Sequence, residues 1–226
     1  MFEIITRTTL VGIGRLGKAL MKQWDNIKEE MGIFHPSDEK VRSFISDYSN
    51  GVPVSIDELP KMKTIIMALP AEKIPGFLKE THYPHITYVN MATAMKTSDL
   101  QNEFPQLKIV SMKFVGHSED LYKNGNGYFI TEQETPDDIL DLFTGIGIVR
   151  RGEPEIVNEV NKLATYYGIK AAVELENELR DKNYDRSLID RALSAITPEV
   201  IKSYQRKDLG HFARSVANEV KESIKR

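Results

Sequence analysis

Residues 8–17 read Thr8-Thr9-Leu10-Val11-Gly12-Ile13-Gly14-Arg15-Leu16-Gly17, and the reading of this stretch decides the fold. Thr8–Val11 has the residues of a short buried strand. A helix follows, because Leu16, Ala19, Leu20, Trp24 and Ile27 recur at the spacing of one helical face. Between strand and helix stand three glycines in the pattern G-x-G-x-x-G. The first permits a tight turn, the second lets a ligand approach the backbone, and the third lets the helix pack on the strand. The helix start presents free N–H groups and the positive end of its dipole, which suits a pyrophosphate. The pattern alone is weak. Here it lies inside a unit of about thirty residues that ends in a second strand, Ile33-Phe34, which is the context it requires. A dinucleotide is therefore expected at Gly12, Ile13, Gly14, Arg15, Leu16 and Gly17.

Working outward, short apolar runs alternate with amphipathic stretches up to about residue 150, as in a parallel sheet covered by helices. Ser37 is placed to cap a helix bearing Val41, Phe44 and Ile45. A small strand is expected near Val54. Thr64–Leu69 is continuously apolar, as a central strand buried on both faces should be, and Pro70 stops it. Further strands are expected at Ile86–Asn90, Lys108–Lys113, Tyr128–Thr131 and Ile148-Val149, with a helix from Pro136 through Phe143. From Glu153 onward four helical stretches fill the chain. In the last, Leu209, Phe212, Ala213, Val216, Val220 and Ile224 form one apolar stripe. The fold class is α/β: a doubly wound, mostly parallel sheet in residues 1–150, and a small all-helical domain in residues 151–226. So few helical residues make a thin core, and they are expected to pack on the first domain or on a second subunit.

Composition narrows the function. With 41% hydrophobic and 28% charged residues, the chain can fill a core and keep a soluble surface. A net charge of −3 disfavours general attraction to nucleic acid or an anionic membrane surface. The absence of cysteine excludes disulfides, thiolate metal sites and thiol nucleophiles, and suits a reducing compartment. No apolar run approaches the ~20 residues that cross a bilayer. Met1–Arg7 lacks the pattern of a signal peptide, so a cytoplasmic location is expected. There is no G-x-S-x-G, P-loop, H-E-x-x-H or EF-hand loop.

An acid at the end of the second strand would bind the ribose 2′-hydroxyl of NAD. The chain has His35-Pro36-Ser37 there, and Asp38 already belongs to the helix start. His35, Ser37, Lys40 and Arg42 suit a 2′-phosphate instead, so NADP is expected, with NAD as the alternative. An ordinary solvated helix face would carry the same Lys40 and Arg42.

The order of landmarks resembles pyrroline-5-carboxylate reductase and its relatives in the 6-phosphogluconate dehydrogenase-like group of Rossmann proteins. Val11–Gly17, Phe34–Ser37 with Glu39-Lys40, Ile65–Pro70, Tyr88–Thr93 and Leu121–Ile130 carry it. The resemblance implies hydride transfer from a nicotinamide cofactor to a C=N or C=O bond of a small metabolite. It also implies cofactor contacts at Leu69, Pro70, Asn90 and Thr93, and a homodimer formed through the C-terminal helices. Two segments depart from the family. Lys113–Ser118 lacks its Met-Pro-Asn signature, and Ser203–His211 lacks its substrate-contacting Ser/Pro/Gly/Thr-rich run. These departures leave a second reading, a non-catalytic NADP-binding sensor or scaffold. For proton transfer the candidates are His117, His211, Lys113 and Tyr204. His117 leads, because it follows a strand end, where open α/β sheets gather ligands. His82 and His85, beside Tyr83-Pro84, are not expected to hold a metal.

Overall fold

The computed structural model of the chain describes residues 7–132 and 134–225. The stretch Met1–Thr6, read above for a signal peptide, lies outside them. The chain folds as two compact units, Met1–Lys162 and Leu163–Arg226. The first unit thus runs past the end of the last strand at Arg151, because Val157 is buried and Asn161 bonds the backbone at Phe114 and Gly116.

In the first unit, β1 (Thr8–Val11), β2 (Met31–Phe34), β3 (Gly51–Pro53), β4 (Thr64–Met67), β5 (Thr87–Asn90) and β6 (Lys108–Ser111) form one parallel sheet. Its order is β3-β2-β1-β4-β5-β6. The run Thr64–Met67 is buried on both faces, which is why it carries no polar alternation. One face is covered by α1 (Arg15–Asn26), α2 (Asp38–Ile45), α5 (Ser118–Asn124) and α6 (Asp137–Thr144). There Leu10, Ile33, Ile66 and Val89 pack against Leu20, Trp24, Phe44, Leu121 and Phe143. On the other face, α3 (Ile74–Glu80) and α4 (Thr97–Glu103) bring Ile74, Leu78 and Leu100 against Ile65, Met67 and Tyr88. Trp24 is wholly buried, donates from Nε1 to the Leu142 carbonyl at 3.2 Å, and meets Phe143 edge to face. The expected α/β architecture is therefore present, with the doubly wound parallel sheet in the first unit and helices in the second.

Three local expectations need correction. Lys108–Lys113 is not one strand: β6 ends at Ser111, and β7 (Lys113-Phe114) begins a second sheet with β8 (Gly127–Thr131) and β9 (Gly147–Arg151). The break occurs where Ser111 N turns to the Glu132 carboxylate at 2.8 Å, while β7 pairs antiparallel with β8. Ile27 is the C-cap of α1 and 49% exposed rather than part of the buried stripe. Pro136 caps α6 from outside, since its fixed φ leads into the helix but its ψ of 143° is extended.

The helical unit holds most of α7 (Ile156–Asp181), α8 (Arg186–Arg191), α9 (Thr197–Arg206) and α10 (His211–Ile224), with a π-helical turn at Ala192–Ile196. Among its described residues only Ile189 is buried. Phe212 is 81% and Ile224 78% exposed, so these stripe residues of α10 are left uncovered among the described residues. No described helix is long and apolar enough to cross a membrane.

Candidate functional site

The strand order reverses between β1 and β4, and in open α/β sheets ligands bind at the carboxyl ends beside that reversal. A cleft of about 540 Å³ opens there. Gly12, Ile13 and Gly14 line it after β1, Ala68, Leu69 and Pro70 after β4, and Lys18, His35 and Lys40 stand around it. An adjoining cleft of about 800 Å³ shares Gly12, His35 and Leu69. Its walls include Phe34 and Phe77, whose ring centroids are 6.2 Å apart.

The three glycines have distinct roles in the geometry. Gly12 has φ +110°, and a Cβ on it would lie 2.3 Å from the Ala68 carbonyl oxygen. A side chain is excluded there both by conformation and by the loop after β4. A Cβ on Gly17 would lie 1.9 Å from the Gly12 carbonyl oxygen, so this glycine fixes how closely α1 approaches the turn. At Gly14 a Cβ would meet nothing within 4 Å. Gly14 is the N-cap of α1 with ordinary extended dihedrals, no side chain caps the helix, and its first turn has no acid. The helix thus presents its N–H groups and dipole to open space, as an anion site requires.

Around the turn, Arg15 is exposed and borders a small hollow with Lys18, Asp47 and Tyr122. Leu16 packs against the core, which leaves only its backbone for a ligand. His35 Nδ1 accepts a hydrogen bond from Ser37 N at 2.9 Å, and Ser37 Oγ accepts from Lys40 N at 3.4 Å, capping α2 as its sequence position predicts. The end of β2 therefore carries no carboxylate in the first cleft; Asp38 lines the second. Sequence reading overlooked Lys18, Ser43 and Asp47 in the first cleft. Lys18 had a signal, since it follows Gly14 by one helical turn. Asp47 had none, because it comes to the cleft only through the packing of α2.

A second group of polar residues gathers at the carboxyl ends of β5 and β6. Asn90 is fully buried, and both ends of its amide are engaged: Nδ2 donates to Met95 O and Thr97 Oγ1, and Oδ1 accepts from Ala92 N. Asn90, expected as a cofactor contact, thus shapes the loop after β5 from within. Thr93, on that loop, lines a cavity of about 90 Å³ with Met95, Lys96, Lys113, Glu155 and Asn158. Lys113 is 2% exposed, and its Nζ donates to the carbonyls of Ala92 at 2.5 Å and Met95 at 3.0 Å. Burial pushes its pKa down to about 7, although Glu132 and Glu155 pull the other way.

The other proton-carrier candidates stand elsewhere. His117 is exposed, and its Nδ1 accepts from Glu119 N at 3.3 Å as the N-cap of α5. His211 begins α10, and Tyr204 is 54% exposed with Lys221 Nζ 5.6 Å from its ring centroid. His82 contacts Gln106, and His85 Nε2 contacts the Pro60 carbonyl. Among the described residues, no three His, Asp or Glu side chains are gathered to hold a metal.

No protein-family model and no curated protein matches this chain. Solved structures do. The chain is similar to Plasmodium falciparum pyrroline carboxylate reductase with NADP bound, at TM-score 0.67 and 15% identity, over 98% of this chain and 92% of that one. A pyrroline-5-carboxylate reductase from Coxiella burnetii aligns at TM-score 0.67 and 12% identity, over 97% and 89%. An Aspergillus terreus reductive aminase in complex with NADPH and ethyl-5-oxohexanoate aligns at 0.65 and 12%, over 95% and 78%. At such identities the likeness establishes a shared fold: this chain has the architecture in which those reductases are built.

Proposed function

We propose that the chain is an NADP-dependent reductase that delivers hydride to a C=N or C=O bond of a small metabolite. The observation that carries this reading is the turn itself, in which Gly12 and Gly17 have no room for a side chain and Gly14 faces open space at an uncapped helix start. A bound pyrophosphate fits that cradle, and the group it brings would supply a hydride. Gly12, Ile13, Gly14, Arg15, Leu16 and Gly17 hold the phosphates in this reading. Leu69 and Pro70 border the ribose, and Thr93 borders the nicotinamide. His35 and Lys40, which line the cleft with Lys18, and Ser37 at the start of α2 favour a 2′-phosphate over a bare ribose in this reading. The NADP and NADPH bound by the Plasmodium reductase and the Aspergillus aminase support the same cofactor.

The functional unit in this reading is a homodimer. The helical unit has 64 residues, by the bounds 163–226, and a single buried side chain among those described. Leu163, Tyr166, Tyr167, Ile169, Phe212 and Val220 are each about half exposed or more. So much uncovered apolar surface on so small a unit calls for a second copy. The departures at Lys113–Ser118 and Ser203–His211 favour a second reading, a cofactor-binding sensor without turnover.

Titration of the purified chain with NADPH and with NADH, followed by nicotinamide fluorescence, tests the proposal. Tight binding with NADPH preferred supports it, and an imine and ketone screen then separates reductase from sensor. Binding of neither cofactor removes it.

A further inference from the structure

The buried cation at the start of β7, just past the end of β6, has a geometry that its burial alone does not explain. Residue type alone made it one of four proton-transfer candidates, with no sign of its burial. Lys113 stands in Ser111-Met112-Lys113-Phe114, where simple alternation would leave a lysine facing solvent. Instead its side chain lies inside, and Nζ donates to two carbonyls of one loop, those of Ala92 and Met95. No carboxylate lies within salt-bridge distance of it among the described residues. Asn90 holds the same loop from below, through Met95 O and Ala92 N. The loop therefore keeps its shape, and Lys113 is held at a fixed place on it.

A protonated lysine has three N–H donors, and a neutral one has two donors and a lone pair. Two carbonyls take two donors in either state. The third position on Nζ has no partner among the described residues, so it is the one that gains or loses the proton, and the tether to the loop survives both states. Lys113 also lines the small cavity that Thr93, Lys96, Glu155 and Asn158 enclose. Its volume of about 90 Å³ is room for about three waters, or for the reacting end of a small molecule. The cavity lies at the carboxyl ends of β5 and β6, on the side of the sheet where the phosphate turn opens.

We infer that Lys113 is the acid–base group of this site, giving its third proton to the nitrogen or oxygen of the bond being reduced. The inference rests on the reductase reading. Reduction of C=N or C=O adds a hydride, supplied by the reduced nicotinamide, to the carbon. The π-electron pair moves to the heteroatom, which takes the proton from Nζ. Lys113 is left as a neutral amine, still bonded to both carbonyls, and regains a proton from solvent. The charged groups that face it set its balance. Glu132, after β8, and Glu155, before α7, favour the ammonium, whereas burial favours the amine. Lys96, before α4, lines the cavity as a second cation. A group that changes state near neutral pH is matched to such work.

The test begins with binding, so that failure of the cofactor reading is seen separately. Fluorescence titration with NADPH and NADP+ establishes each complex. Lysine side-chain NMR then follows protonation of Lys113 from pH 5 to 11 in both, with Lys113→Met identifying the signal. The oxidised nicotinamide ring carries a positive charge and the reduced ring does not. Lys113 should therefore hold its proton about tenfold less tightly with NADP+ than with NADPH. Identical titration in the two complexes, or full protonation above pH 9, overturns the inference whether or not a substrate is known. Where turnover is found, Lys113→Met should lower kcat at least a hundredfold and remove the limb of the pH profile near neutrality. Lys113→Arg keeps two donors for the loop and cannot lose its proton. It should restore NADPH affinity to within threefold without restoring kcat. Recovery of kcat by the arginine would reduce Lys113 to a structural tether and overturn the assignment.

Discussion

Replacing Gly14 by Asp should strengthen the fold and abolish cofactor binding, two effects of opposite sign from one side chain. The stability side follows from the helix start. Gly14 is the N-cap of α1, its φ of −76° suits any residue, and a Cβ there has no neighbour within 4 Å. Asp is among the best N-cap residues and Gly a weaker one, and a carboxylate favours the helix dipole. The gain is a few tenths to about 1 kcal/mol. For a chain of this size that raises Tm by up to about 4 °C. The binding side follows from charge. The new carboxylate takes the N–H groups that the pyrophosphate needs and stands about 4 Å from it, where like charges repel by about 4 kcal/mol at an effective dielectric constant of 20. Each 1.4 kcal/mol is tenfold, so NADPH affinity should fall about a thousandfold. Differential scanning fluorimetry gives the first quantity and fluorescence titration the second, with Gly14→Ala as the uncharged control. Unchanged NADPH affinity in Gly14→Asp would refute the placement of the phosphates. A collapse of stability would refute the open geometry at Gly14.

The neighbouring glycine behaves oppositely. Gly17→Ala puts a Cβ against the Gly12 carbonyl and should destabilise the chain by about 2 kcal/mol despite the better helix propensity of Ala; wild-type stability in urea would show that α1 does not approach the turn so closely. Ser37→Ala with Lys40→Ala should weaken NADPH binding more than NADH binding, and equal loss would remove the 2′-phosphate argument. Phe212→Glu with Val216→Glu should turn dimers into monomers or aggregates in light scattering, an outcome that a monomeric wild-type protein would contradict. Because Lys113 has a pKa of about 7 in the fold and about 10.4 when unfolded, the unfolded chain binds more protons between those values, so stability rises with pH across that window. The rise is at most about 5 kcal/mol; Lys113→Met should lack it, and identical pH profiles of urea unfolding would show that Lys113 is not buried as a neutral amine.

Much of the first unit was legible because its signals are local. The apolar runs of β1, β4 and β5, the stripe from Leu16 to Trp24 and the Ser37 cap each depend on residues close in sequence, and each lies where the pattern puts it. The G-x-G-x-x-G turn was legible for the same reason. What was not legible lies where distant contacts decide. Nothing within Lys108–Lys113 reveals that Ser111 turns to Glu132 and that Lys113 starts another sheet. Asn90 has the residue type and strand-end position of a ligand contact, and nothing near it in sequence reveals that its amide bonds Met95, Thr97 and Ala92. His117 was favoured by type and place, whereas the buried lysine four residues earlier has no pattern that distinguishes it from a surface one.

This difference in legibility has a chemical cause. A pyrophosphate is held by backbone N–H groups, which every residue but proline carries, so the turn asks of the sequence only that side chains be absent at Gly12 and Gly17 and small at Gly14. Most other positions can change, and 12–15% identity coexists with TM-scores of 0.65–0.67. Proton transfer asks the reverse. It needs one particular side chain, desolvated and fixed, and any change of fold detail at the ends of β5 and β6 can transfer that task to another position. A shared cofactor cradle therefore constrains the hydride far more than it constrains the molecule that receives it. On the proposed reductase reading, the identity of that molecule is to be sought at the cavity beside Lys113 and Thr93, not at the glycines.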